Sequence, residues 1–494
     1  MIREKNVQLP NGSLNPSNAI WKQDLRAHHG IMLSLILLTV RIGVCLACWN
    51  VCLMRKTIFK KLEAQGLIAN YNHLRKNLPP KLPDRVFIWD ETLREGVQSP
   101  AVFLTYVEKV KLAKMMDETG VSIITVGYPA LSEEERSTVK KIANEGFQQA
   151  SLAASARILK SDIDICLECG IREIPIFTAF NGLNLQHRLK MTKEDVLKRT
   201  VECVEYAKKH GVKVDFVLED GSRTPLPEIL QIFGAAAKAG ADRLVLADSV
   251  GFLRPLSMRY LISHVRDGLS ESLKKTVPLS VHCHNDFGLA TANTLAAVEE
   301  GVAYVHTCVA GYGARAGCSP LEEVCTALEL LYDVDTGVDL DKLYRLSQLA
   351  EKAFALPIQF HKPLIGENAF AYEEDENVKD ALADPMTIEP FPPEIIGRET
   401  LFYLGRQAGR NLVANRLAQA EIKATPMQIE EIVRRIRGAH ESLDKGEAQM
   451  TFYQIKKLTK DLRKGLTEEE FWKIVEQVTR QKPKLPQEPK TLSS

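Results

Sequence analysis

The sequence predicts an α/β protein, a (β/α)8 TIM barrel followed by a small α-rich C-terminal region. Eight short runs of apolar and β-branched residues recur between residues 85 and 308. Helical stretches separate them, and alternating strand and helix gives a parallel sheet covered by helices. The whole rhythm takes about 250 residues, which suits a closed barrel better than an open doubly wound sheet.

The strand candidates, in order, are Arg85–Trp89, Ser122–Val126, Ser151–Ser155, Glu173–Phe177, Lys213–Leu218, Arg243–Ala247, Leu279–Cys283 and Ala303–Cys308. Helices are expected over Thr105–Glu118, Glu194–His210 and Leu226–Ala239. Ser132-Glu133-Glu134-Glu135 and Thr467-Glu468-Glu469-Glu470 have the form of capping boxes, in which hydroxyl and carboxylate satisfy each other's backbone donors.

The barrel occupies residues 85–335 of this division. Before it lie a polar segment (1–29), an apolar segment (30–53) and a basic, Pro-rich linker (54–84). After it come a mixed subdomain (336–425), a helical subdomain (426–480) and a Lys- and Pro-containing tail (481–494) expected to be disordered. Gly30–Leu53 has the length of a membrane span, but Arg41 near its middle costs roughly 2.5–3.5 kcal/mol on insertion scales. Three readings stay open: an N-terminal membrane anchor, a helix packed on the body or a partner, or an upstream extension of a chain whose start is Met54.

A chain of 494 residues with 45% hydrophobic and 26% charged residues has the make-up of a globular protein. Its formal net charge of +1 offers nucleic acid no bulk electrostatic attraction. Ten cysteines in so long a chain are too sparse for a disulfide framework and read as reduced thiols of a cytoplasmic protein. Cys166 and Cys169 stand without a second pair, so a metal reading is not favoured there.

In such a barrel the chemistry sits where the strands end. The first strand runs into Asp90-Glu91-Thr92-Leu93-Arg94-Glu95-Gly96, and the seventh into His282-Cys283-His284-Asn285-Asp286. Residues two apart on a strand share a face, so His282 and His284 can aim at one ion while Cys283 faces the helix layer. Glu95 at the same mouth completes a two-histidine, one-carboxylate set that leaves positions for a chelating substrate. Asp286 is open to two roles, orienting a ligand or capping the following helix.

Asp90–Gly96, His282–Gly288 and Gly311–Gly317 resemble the three signatures of the pyruvate-carboxyltransferase barrel superfamily. That superfamily includes the 2-isopropylmalate, homocitrate and citramalate synthases of amino-acid biosynthesis and the hydroxymethylglutaryl-CoA lyases. The resemblance covers about residues 85–415. Lys362-Pro363-Leu364-Ile365-Gly366 and Leu404-Gly405-Arg406-Gln407-Ala408-Gly409-Arg410 resemble the post-barrel segment that the synthases have and the lyases lack. It implies an acyltransferase that condenses an acyl-CoA, acetyl-CoA above all, with a 2-oxo acid on a divalent metal ion (Zn, Mn or Mg), as a homodimer. It also implies site roles: Glu95, His282 and His284 as metal ligands, and Arg94 on the substrate oxygen where charge develops. Glu219 matches an active-site glutamate, and Ser249 stands for a threonine that helps hold the 2-oxo acid. Asn181 and Asn184 lie in the loop that reads the substrate's tail.

The chain also departs from the family pattern. Ala314 stands where a glutamate is usual, Cys318 where many members have a ligating asparagine, and Thr125 where a glutamate follows the second strand. Cys318 is a candidate soft ligand or reactive thiol against the plainer reading of an inert small residue. The loop Phe180-Asn181-Gly182-Leu183-Asn184 carries no cation for a second substrate carboxylate, unless His187 or Arg188 reaches in. Asn377 stands near the expected histidine base and cannot take a proton at neutral pH, leaving Tyr372 and Glu219 as candidates. Two alternatives accompany the synthase reading: an aldol-type lyase on the same metal site, and a non-catalytic relative that binds a metabolite or partner, with membrane contact through residues 30–53.

Overall fold

The computed structural model describes residues 58–481, except 75–76, 275, 442–444 and 463–464. The expectations for residues 1–53 and for the tail beyond 481 fall outside them. Among the described residues no helix is long and apolar enough to cross a membrane.

Nine strand segments form one parallel sheet: β1 (Phe87–Asp90), β2 (Ile123–Thr125), β3 (Ser151–Ala153), β4 (Ala156–Arg157), β5 (Glu173–Ala179), β6 (Lys213–Glu219), β7 (Arg243–Asp248), β8 (Leu279–Cys283) and β9 (Tyr304–Thr307). β9 returns to pair with β1, and β3 pairs with β5, so the sheet closes on itself. The sequence run Ser151–Ser155 is shorter as a strand than expected. β3 stops at Ala153 and the two-residue β4 resumes at Ala156; both lie against β5 and together make one stave of an eight-stave barrel.

The period-two alternation of strands sorts side chains into two layers. Val214, Phe216 and Leu218 of β6 and Leu244 and Leu246 of β7 belong to the large core between sheet and helices, as does Cys283. Val217, Val245 and Ala247, with Phe177, form a separate cluster, and so do Trp89, Ile123 and Ala153 with Tyr304. These two clusters fill the barrel itself. Helices run over Tyr106–Thr119, Lys193–Lys209 and Leu226–Ala239, within a residue of the sequence expectation. Thr467 and Glu470 form the reciprocal capping box. At Ser132 only half of it forms. The Ser132 hydroxyl accepts from Glu135 N at 3.1 Å, but the Glu135 carboxylate takes Lys109 Nζ at 2.7 Å and Tyr128 N at 3.3 Å instead.

The N-terminal end of the barrel is plugged by charge. Arg243, on β7, donates Nε to Asp215 Oδ1 at 2.6 Å and Nη2 to Glu173, with all three side chains buried. Its guanidinium also lies 5.0 Å from the Trp89 ring centre and 4.5 Å from that of Tyr304. Removing one member of a buried ionic cluster strands the others without partners. Arg243→Ala is therefore expected to destabilise the protein by roughly 3–5 kcal/mol in chemical denaturation, and a loss under about 1 kcal/mol would contradict this account of the barrel floor.

Beyond the barrel, the helix Leu343–Phe354 packs on Tyr106–Thr119. Two short strands, Ala371–Tyr372 and Leu401–Phe402, pair in parallel, and helices Asp375–Ala383, Arg410–Gln419 and Pro426–Glu441 follow in a connected set of contacts.

Candidate active site and metal centre

A cavity of about 440 Å³ opens at the C-terminal ends of the strands. Its lining includes Arg94, Glu95, Asn184, Glu219, Ser249, His282 and His284, drawn from the ends of five different staves and the segments that follow them. The turn after β1 carries the first pair. Glu95 N donates to Glu91 O at 2.6 Å, a tight helical turn that brings Arg94 and Glu95 back over the barrel. His282 lies on β8, and His284 follows just beyond its end, where it bridges to Cys318.

Glu95, His282 and His284 converge. Each offers a ligand atom within 4.8 Å of the other two, and all three are buried. The two Nε2 atoms are 3.2 Å apart, and His284 Nε2 is 3.6 Å from Glu95 Oε1. His284 Nδ1 lies 3.1 Å from Gly317 O, a carbonyl that can only accept, so the proton belongs on Nδ1 and the lone pair on Nε2 faces the cluster. Burial, followed by the charges of His284, Arg94 and Arg315, holds the His282 imidazolium far below its usual range. His284 is lowered too, burial outweighing the opposite pull of Glu95. Two imidazoles whose protonated forms are disfavoured and one carboxylate, converging on a common point, form a donor set suited to a divalent cation.

The glycine loop makes the Gly317 contact available. Gly317 has φ +85°, and a Cβ there would lie 1.9 Å from Gly311 O, so no side chain fits. Ala314, on the same loop, sends its N–H toward Glu95 Oε1 at 3.4 Å.

The residues expected to bind substrate organise around Asp220, a buried residue with φ +54° that the sequence did not single out. Its carboxylate accepts from Asn181 Nδ2 at 2.7 Å, Asn184 Nδ2 at 3.0 Å and Arg223 Nε and Nη2, while its N–H donates to Ser249 Oγ at 2.8 Å. Asn184 and Ser249 line the cavity; Asn181 lies behind, as a support for Asp220. Glu219 reaches the cavity and is held by Arg188 through contacts of 2.7 and 3.2 Å. Arg188 thus does reach in, from the turn Leu185–Leu189.

Other expected residues are placed elsewhere. Cys318 is buried beneath the glycine loop, outside the cavity lining and outside the converging donor set. Hydrogen bonding with Cys308 favours its thiolate, but burial and the carboxylates of Glu95, Asp90 and Glu91 win, and its pKa is raised; this is the environment of an inert thiol. Tyr372 sits on the post-barrel ribbon beside Phe402 and does not line this chain's cavity. Asp286 neither touches a ligand nor caps the helix. It pairs with Arg315 at 2.8 and 2.9 Å, and Asn285 Oδ1 accepts from Ala290 N at the helix start instead. Two floor residues went unnoticed in the sequence: Glu91, and His306 on β9, whose ring lies 4.4 Å from that of Trp89. Both follow from strand alternation, which puts residues 306 and 304, and 91 and 89, on the inner face.

Residues 85–350 match the HMGL-like family, and residues 364–444 the homocitrate synthase post-HMGL domain-like family. The chain belongs to the HMGL-like family. Among its relatives, the homocitrate synthase AksA of Methanothermobacter thermautotrophicus is 40% identical over 72% of this chain and 90% of its own length. The 2-isopropylmalate synthase of Methanocaldococcus jannaschii is 39% identical over 72% and 68%, and the (R)-citramalate synthase CimA of the same organism 36% over 71% and 70%. Of solved structures, the hydroxymethylglutaryl-CoA lyase from Pseudomonas aeruginosa shares the fold, with a TM-score of 0.50, 24% identity and coverage of 56% of this chain and 96% of its own. HMGL-like enzymes use a divalent metal, and the donor set of Glu95, His282 and His284 fits such an ion.

Proposed function

We propose that this HMGL-like protein condenses acetyl-CoA with a 2-oxo acid and releases free CoA. The observation that carries the reading is the joint placement of the Glu95–His282–His284 donor set and Arg94 at one end of the cavity, in a chain whose relatives are named as synthases over most of its length. A divalent ion on those three residues would supply Lewis-acid activation of the keto group. Arg94 donates to the oxygen on which charge develops as the new bond forms, a fixed dipole where it is needed. Glu219 takes the methyl proton of the thioester, with Arg188 holding its carboxylate in place. Ser249 and Asn184 border the 2-oxo acid. Water then cleaves the thioester, so that acetyl-CoA, 2-oxo acid and water give a 2-hydroxy dicarboxylate and CoA thiol.

The cavity also favours one kind of 2-oxo acid. Each of its four arginines already holds a carboxylate: Arg94 those of Glu91 and Glu95, Arg188 that of Glu219, Arg223 that of Asp220, and Arg315 that of Asp286. Part of the cavity wall is apolar, formed by Pro175, Phe177, Val217, Ala247 and Val250. A second substrate carboxylate would have to break an ion pair, whereas a small alkyl group meets that wall. The substrate is accordingly a 2-oxo monocarboxylate. The post-barrel segment, with Tyr372 away from its own cavity, supports a homodimer in which it serves the neighbouring subunit. Seven described cysteines are unpaired thiols, which supports a reducing, cytoplasmic setting.

The full-length protein with acetyl-CoA and a panel of 2-oxo acids tests this. Thiol release is expected with pyruvate, 2-oxobutanoate or 2-oxoisovalerate and at least about tenfold less, in kcat/KM, with 2-oxoglutarate. A preference for 2-oxoglutarate would contradict the choice of substrate, and thiol-free cleavage of a 2-hydroxy acid would favour the lyase chemistry instead.

A further inference from the structure

We infer that Glu91 is the positioning residue for Arg94, a carboxylate delivered from β1 to a place between β1 and β2. Arg94 is gripped from two sides. Its Nε donates to Glu91 Oε2 and its Nη1 to Glu95 Oε2, each at 2.7 Å. Two contacts on a planar guanidinium fix its plane as well as its position. Of the two carboxylates, Glu95 belongs to the converging donor set and would be drawn on by an ion. Glu91 stands outside that set and is left to orient the arginine alone.

Glu91 is itself anchored. Its second oxygen, Oε1, accepts from the Thr125 hydroxyl at 2.8 Å, and Thr125 Oγ1 accepts from the Trp89 indole N–H at 2.7 Å. His306 Nδ1 approaches the same Oε1 at 3.5 Å. Every group in this relay is almost fully buried except Arg94, whose side chain is 24% exposed at the cavity. A chain of buried hydrogen bonds that ends on one cavity-lining cation serves that cation's geometry.

The strand register explains how a carboxylate from residue 91 reaches this spot. Trp89 pairs with Ile123 and Asp90 with Ile124, so Glu91 and Thr125 stand on the next rung, side by side. Exchanging the two residues would leave a carboxylate and a hydroxyl on the same rung with the strands reversed. The superfamily pattern places a glutamate at position 125, and in this chain the pair reads Glu91–Thr125.

The role presumes the condensation proposed above, and the test separates the two. Glu91→Gln, Glu91→Thr and the exchange Glu91→Thr/Thr125→Glu are compared with the parent protein. For Glu91→Gln and Glu91→Thr, kcat is expected to fall about 100-fold with the KM for the 2-oxo acid within about threefold, since the lost contact acts on developing charge. Zinc affinity by calorimetry stays within threefold, because Glu95, His282 and His284 are untouched. The exchange recovers at least tenfold in kcat. Crystal structures of Glu91→Thr and of the exchange show Arg94 displaced in the first and restored in the second. Arg94 unmoved in Glu91→Thr, or displaced alike in both, overturns the inference, as does a loss of zinc affinity that matches the loss of kcat. Should the parent protein turn over no 2-oxo acid, the proposed function falls, and the Arg94 positions still decide this one.

Discussion

His284→Ala is expected to lower divalent-metal affinity by about 100-fold or more and kcat by about 1,000-fold, several kcal/mol of transition-state stabilisation at 1.36 kcal/mol per decade. The effect is large because His284 does two things at once. Its Nε2 lies between His282 Nε2 and Glu95 Oε1, and its Nδ1 ties the ring to the Gly317 carbonyl. Alanine removes a donor from a set of three and one of the two hydrogen bonds that the Gly317 carbonyl accepts, the other coming from Asn285 N at 2.9 Å. Calorimetric titration with zinc and manganese, followed by thiol-release kinetics on the same samples, measures both halves. Metal affinity within threefold of the parent would remove His284 from the metal site. Affinity lost with kcat intact would make the ion structural.

Glu219→Gln is the second large expectation, with kcat falling by about 100- to 10,000-fold, the range of a general base. The substitution keeps the shape of the side chain but removes the proton acceptor and the charge that holds Arg188. A structural role alone would appear as a lowered melting temperature with kcat nearly preserved. Exchange of deuterium from solvent into the methyl group of acetyl-CoA gives an independent readout, expected in the parent protein and absent in the variant. Persistent exchange would assign proton removal to another group, with Tyr372 the next candidate.

The barrel was legible in the sequence because its strands, buried on both faces, read as short runs of apolar and β-branched residues, and its helices lie between them at regular intervals. The residues that fill the sheet–helix core, such as Val214, Phe216, Leu244 and Leu246, are those whose apolar character marked the strands. The break between β3 and β4 was not visible, since Ser151–Ser155 is short and its polar ends read equally well as a strand or as its edges. In the site, His282 and His284 stood out by a spacing of two at a strand end, facing Arg94 and Glu95. Glu91 did not, because its meaning lies in a neighbour 34 residues away in the chain, Thr125, and only the β1–β2 register brings the two together. Asp220 escaped notice for a related reason: a left-handed turn and three converging side chains cannot be seen from a single acidic residue. The helix start falls to Asn285 rather than to the expected Asp286 because Arg315, on the glycine loop, takes the Asp286 carboxylate.

The central claim is that this cavity performs a metal-dependent condensation. It is tested most directly by stripping the full-length protein with a chelator, removing the chelator, and following CoA thiol release from acetyl-CoA and a 2-oxo monocarboxylate before and after adding back zinc, manganese or magnesium ions. The account predicts silence in the stripped protein, recovery with at least one of these ions, and a 2-hydroxy dicarboxylate by mass spectrometry in step with the thiol. Equal thiol release with and without metal, or no condensation product under any loading, would contradict it.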